Sequence, residues 1–159
     1  MKYSDDLYDV NHDIKLASVF GILCAIASAV ATVGDVGAAY IFIAILIGNL
    51  IALKVDGVHH LITLIVFIVI CLMYGVGELN FVVLLICILA ALGDEIGHEM
   101  ISKVTANEFL NLFFEYRFVM KIAVFLLAIC GAFNVLIFIC FIIFELAYLC
   151  GGMVFEKFN

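Results

Sequence analysis

Residues 16–54 read LASVFGILCAIASAVATVGDVGAAYIFIAILIGNLIALK, and Asp35 is the only charged residue between Lys15 and Lys54. Two apolar runs of helix-spanning length flank Gly34-Asp35, a glycine and acid pair that signals a turn. A bilayer core needs about 20 apolar residues per spanning helix, so this stretch reads as a transmembrane hairpin: Leu16 to Val33, then Val36 to Leu53.

The same pattern recurs along the chain. Further apolar segments run over Val58 to Val76, Leu79 to Met100, Glu115 to Cys130 and Asn134 to Val154, with turn signals at Gly75 to Asn80 and at Gly131 to Asn134. Of the 159 residues 68% are hydrophobic, 13% are charged and none is proline, and the mean hydropathy is +1.34. Apolar side chains in that proportion leave no polar shell for a soluble domain. The expectation is an all-α integral membrane protein, one domain over residues 1–159, with six transmembrane helices arranged as three hairpins.

Charge placement orients it. Lys2 and Lys15 precede the first span, Lys54 follows the second, Lys103, Arg117 and Lys121 surround the fourth connection, and Lys157 follows the sixth. The three hairpin tips carry no lysine or arginine. Since basic residues near helix ends stay cytoplasmic, both termini are expected on the cytoplasmic side of a cell membrane. Residues 1–14 form an acidic cytoplasmic segment with Asp5, Asp6, Asp9 and Asp13, and they lack the basic start of a cleaved signal peptide. The formal net charge of -7 speaks against nucleic acid as a partner and against a polybasic lipid-docking face, and points to cations, while membrane lipid is the partner that the apolar spans imply.

The piece from Ser102 to Tyr116 interleaves Phe109, Leu110, Phe113 and Phe114 with Asn107, Glu108, Asn111 and Glu115. Its spacing describes an amphipathic helix on the membrane surface or the polar start of the fifth span. Six cysteines lie in apolar runs without a C-x-x-C pair, which suits packing rather than metal or redox chemistry.

Two polar clusters flank the cytoplasmic connections. The first is KVDGVHH at 54–60 and the second GDEIGHEM at 93–100. Each holds a D-x-x-x-H pair, Asp56 with His60 and Asp94 with His98, and each holds a carboxylate three residues before a histidine, Asp56 with His59 and Glu95 with His98. Helical residues three or four apart share a face, so each cluster can aim a carboxylate and an imidazole at one point. That donor set suits a divalent ion such as Zn, Fe or Mn, with Mg within reach of the carboxylates.

The expected ligands are His59, His60, Asp94, Glu95 and His98. Asp56 and Glu99 are assigned to orienting imidazoles or acting as base, and Lys54 and Arg117 to pairing with a phosphate. Glu145, mid-way along the sixth span, is expected to face the bundle interior with Asn49, Tyr148 or Asn134 beside it, because an ionised carboxylate in lipid costs several kcal/mol. The plainer reading makes Asp56 a helix cap and Asp94 to Glu99 the solvated end of a helix.

Three functions follow. A metal-dependent enzyme would act at the cytoplasmic interface on a lipid-linked or phosphate-bearing lipid substrate. A divalent-cation or proton-coupled transporter would use Glu145 and Asn49 at mid-depth. A non-catalytic subunit, within a homo-oligomer or a larger membrane complex, would present its charged face to a partner. No phosphate-binding, dinucleotide or esterase motif is present, and Ser102 stands where a zinc-protease H-E-x-x-H would place its second histidine.

Overall fold

The computed structural model describes residues 2–104 and 107–158. The described residues form eight helices: α1 Lys2–Asp9, α2 Ile14–Gly34, α3 Val36–Ile51, α4 Val58–Tyr74, α5 Phe81–Val104, α6 Glu108–Glu115, α7 Phe118–Ile129 and α8 Val135–Phe158. The six expected apolar segments correspond to α2 to α5, α7 and α8. Three of them, α2, α5 and α8, are long and apolar enough to cross a membrane, while α3, α4 and α7 are shorter apolar helices.

Local chemistry sets the boundaries. Asp13 accepts from the Leu16 amide at 3.0 Å and starts α2. Asp35 closes α2 and opens α3 at once: its own amide donates to Ala31 O, and its carboxylate accepts from Ala38 N, each at 3.0 Å. Gly75 and Gly131 end α4 and the α7 turn with φ of 79° and 77°, a left-handed backbone that side chains resist.

Small residues set which helices touch. A Cβ on Gly21 would fall 2.5 Å from Thr63 Oγ1, and farther along α2 the buried Ala25 and Ala29 receive Phe67, so α2 and α4 run side by side in the same direction. On α3, Tyr40 meets Asn80 and Gly48 meets Ala91, which places α5 parallel to α3. Beyond α5 come α7 and then α8, and α1 packs between α8 and α2.

The largest buried cluster centres on Tyr40, Cys87, Met120, Val124 and Phe141. The outward faces are apolar too, with Leu72 80%, Phe81 75% and Ile129 65% exposed, as a hydrocarbon solvent would favour.

One helix was not foreseen, and α6 takes one of the two forms expected for the Ser102 to Tyr116 stretch, a helix of its own rather than the start of the fifth span. Helix α1 lies within the expected acidic tail, and α6 stands apart from α7 because Arg117 between them has φ 50°. Positions 105 and 106 of the Ser102 to Tyr116 stretch lie outside the described residues.

Candidate functional site

His59 opens the site because it is the largest fully buried side chain, 1% exposed in the first turn of α4. Gly57 lets it fold back: a Cβ there would lie 2.5 Å from His59 Cε1. Its ring lies 4.5 Å from the Tyr8 ring and 4.1 Å from the His60 ring, centroid to centroid. His59 Nε2 is 3.2 Å from Asp5 Oδ1, and His60 Nε2 is 3.6 Å from the same oxygen. His59 Nδ1 is buried and has no hydrogen-bond partner among the described residues.

Asp5 is delivered by α1, whose seating is specific. Ser4 Oγ donates to Ala17 O at 2.7 Å, Leu7 is buried against Ala17 and Phe155, and Lys2 pairs with Asp6 at 2.8 Å. Burial raises the Asp5 carboxyl above the ordinary carboxylate range, although the His60 and His59 imidazoles pull the other way.

One ligand atom from each of Asp5, His59 and His60 falls within 4.8 Å of the others. Nitrogen and oxygen ligands stand about 2.0 to 2.2 Å from a tetrahedral Zn ion, which makes neighbouring ligand atoms about 3.4 Å apart. The 3.2 and 3.6 Å separations bracket that spacing. Two imidazoles and one carboxylate leave further coordination positions open, the donor set of catalytic rather than closed structural sites. Asp56, with a side chain 79% exposed, stands 3.8 Å from His60 Nε2, beyond hydrogen-bond distance.

The second cluster is spent differently. Asp94 is 1% exposed, and its two oxygens accept from the amides of Val119 at 3.0 Å and Met120 at 2.7 Å. It therefore caps α7 from another helix, a place Arg117 leaves vacant by making no side-chain cap bond. Glu95 Oε1 pairs with Arg117 Nη2 at 2.8 Å, and the Arg117 guanidinium lies 5.2 Å from the Tyr148 ring centre. Glu145 pairs with Lys121 at 2.9 Å rather than with Tyr148, Asn49 or Asn134, and Lys121 also donates to the Tyr116 carbonyl.

His98 is exposed and lines a separate cavity of about 170 Å³ with Ile101, Asn111, Phe114 and Glu115. Glu99 meets Lys54 at 3.4 Å and Lys103 at 3.3 Å on the surface.

The two clusters thus share an end of the bundle but not a cation position. They face each other across a cavity of about 180 Å³ whose polar lining includes Asp5, Asn49, His60, Glu95, Arg117 and Glu145. The rest of its lining is the hydroxyl-bearing Ser28, Thr63 and Tyr148 and apolar side chains, among them Ile45, Leu46, Leu64 and three phenylalanines. Glu145 and Asn49 do face the bundle interior.

Sequence reasoning missed Asp5 and Lys121. The Asp5 signal was the spacing of Ser4, Leu7 and Tyr8, one helical face on a segment read as solvated. Lys121 was assigned to topology alone. No model of a known family, no curated protein and no solved structure matches this chain.

Proposed function

We propose that the chain is a six-span membrane protein with both termini cytoplasmic, acting as a metal-dependent enzyme on a phosphate-bearing lipid. The observation that carries this reading is the convergence of Asp5, His59 and His60 beside a cavity that Asp5 and His60 line at a polar end and Phe42 and Phe67 at an apolar one.

Formal charges add a reason. The Glu95–Arg117 and Glu145–Lys121 pairs are each neutral, which leaves Asp5 as the excess charge. A divalent ion on Asp5 turns the net charge of the cavity from negative to positive and so attractive to a phosphate. The ion would polarise the phosphate or activate a water, and Arg117, whose guanidinium has donors beyond the one given to Glu95, would face it from the opposite wall. Asp56, exposed and 3.8 Å from His60, makes no hydrogen bond to it and has no part in this reading. Lys54 and Glu99 hold each other outside the cavity and have no part in this reading.

Purified protein should carry about one divalent ion per chain. Asp5→Ala and His59→Ala should lose it, while His98→Ala should keep it. Metal-free wild type after purification without chelators would sink the proposal, and so would retention of metal by both variants. Turnover of a lipid phosphate by the loaded protein tests the enzymatic half.

A cation transporter is the second reading, favoured by three carboxylates, Asp5, Glu95 and Glu145, on one cavity wall system. Metal uptake into proteoliposomes without lipid turnover would select it.

A further inference from the structure

Followed away from Asp5 and His60, the cavity meets three phenyl rings from three helices. Phe42 on α3 and Phe67 on α4 line it seven residues of helix beyond Asn49 and His60, beside Ser28 on α2, and Phe144 on α8, the residue before Glu145, lines it with them. Phe42 and Phe144 meet edge to face, with centroids 5.2 Å apart and planes at 87°. Phe67 is 6% exposed and is wedged against Ala25 and Ala29.

The polar side chains at this depth are satisfied within their own helices. Ser28 Oγ donates to Cys24 O at 2.8 Å, and Thr63 Oγ1 donates to His59 O at 2.7 Å. Apart from Glu145, which is held by Lys121, this part of the cavity therefore offers a ligand mainly apolar contact.

We infer that Phe42, Phe67 and Phe144 form a stop that sets the tail length of the amphiphile the cavity accepts. The inference rests on the proposed function for one thing, the position of the head at the Asp5, His59, His60 end. From Asn49 to Phe42, and equally from His60 to Phe67, is seven residues of helix, about 10 Å at 1.5 Å per residue. An extended chain advances about 1.2 Å per bond, a third of the span of one residue, so the stop is reached after about eight carbons. The preferred ligand is thus an alkyl or acyl phosphate whose tail has about that length, or whose longer tail is forced out between helices at lower affinity per carbon.

The test uses the full chain in nanodiscs and a series of n-alkyl phosphates from butyl to tetradecyl. Affinity for wild type should rise roughly fourfold per methylene while each carbon is newly buried, then level off near octyl. Phe144→Ala should move the break to longer chains and Phe144→Trp to shorter ones. Comparing variants on the same ligand cancels its partition into lipid, and opposite shifts from two variants cannot come from misfolding.

A single unbroken slope for all three proteins, or one break that neither substitution moves, overturns the stop. Repeating the series after metal removal separates the two proposals. A movable break with phosphate affinity indifferent to metal leaves the stop standing and removes the metal reading, whereas metal-dependent affinity without a movable break does the reverse.

Discussion

The segments 54–60 and 93–100 are near twins in sequence and opposites in structure. Both carry D-x-x-x-H, both occupy helix ends, and both lie at the same end of the bundle. In the first, the histidines are the centre: His59 is enclosed, His60 lies beside it, and both face one carboxylate oxygen from a helix far away in sequence. In the second, the acids are the centre: Asp94 holds two amides of α7, Glu95 holds Arg117, and His98 points elsewhere. Spacing tells which side chains share a face of their own helix. Their chemistry is decided by what the neighbouring helix presents, an acid from α1 in one case and bare amides and an arginine from α7 in the other.

If the second segment is structural, its largest effect belongs to Asp94. Asp94→Ala removes the acceptor for two enclosed amides, and hydrogen bonds to a charged group contribute about 1.5 to 3 kcal/mol each, so unfolding in detergent should be easier by about 4 kcal/mol. The loss should be the same with and without added metal. A loss that appears only in metal would move Asp94 into the ion site and erase the contrast.

The first segment should show the complementary behaviour. Chelator treatment should lower the melting temperature of wild type, since an ion at a hundred times its Kd stabilises the fold by about 2.7 kcal/mol. Asp5→Ala should begin near the chelated value and be indifferent to chelator. Equal sensitivity of Asp5→Ala and wild type would show that any ion binds without α1.

These contrasts explain what was legible beforehand. The six apolar helices were readable within a few residues because hydropathy, glycines and the Asp35 turn act locally. The inward placement of Glu145 was readable because lipid leaves a carboxylate few options. The partners were not. Lys121 is one turn into α7 and was counted only as a topology marker, while Asp5 belongs to a short acidic helix whose burial depends on Ala17, Phe155 and Ser4 meeting in space. Arg117 breaks α6 from α7 with a left-handed backbone, a conformation that its residue type does not signal.

A middle-sized effect tests whether Glu95 belongs with Asp94 or with the cavity. Glu95→Gln leaves the Arg117 guanidinium unpaired, its side chain 29% exposed. Breaking a fully buried pair costs 3 to 5 kcal/mol, and partial access to water reduces that here to about 2 kcal/mol. Metal stoichiometry should be unchanged. The freed arginine should bind an alkyl phosphate more tightly, a gain that a purely structural arginine would not show in titration.

The smallest effect comes from Glu99, and it sharpens the contrast because Glu99 is part of the same sequence cluster. Its partners Lys54 and Lys103 are 3.4 and 3.3 Å away, and the three side chains are 40% to 70% exposed, so water and salt screen the attraction. Glu99→Gln should leave the melting temperature unresolvably changed and metal content intact, and its slight effect should vanish as ionic strength rises. Metal loss in this variant would mean that Glu99 reaches the ion after all. That outcome would require the end of α5 to swing Glu99 off the lysines toward His60, and the two segments would then be halves of one site.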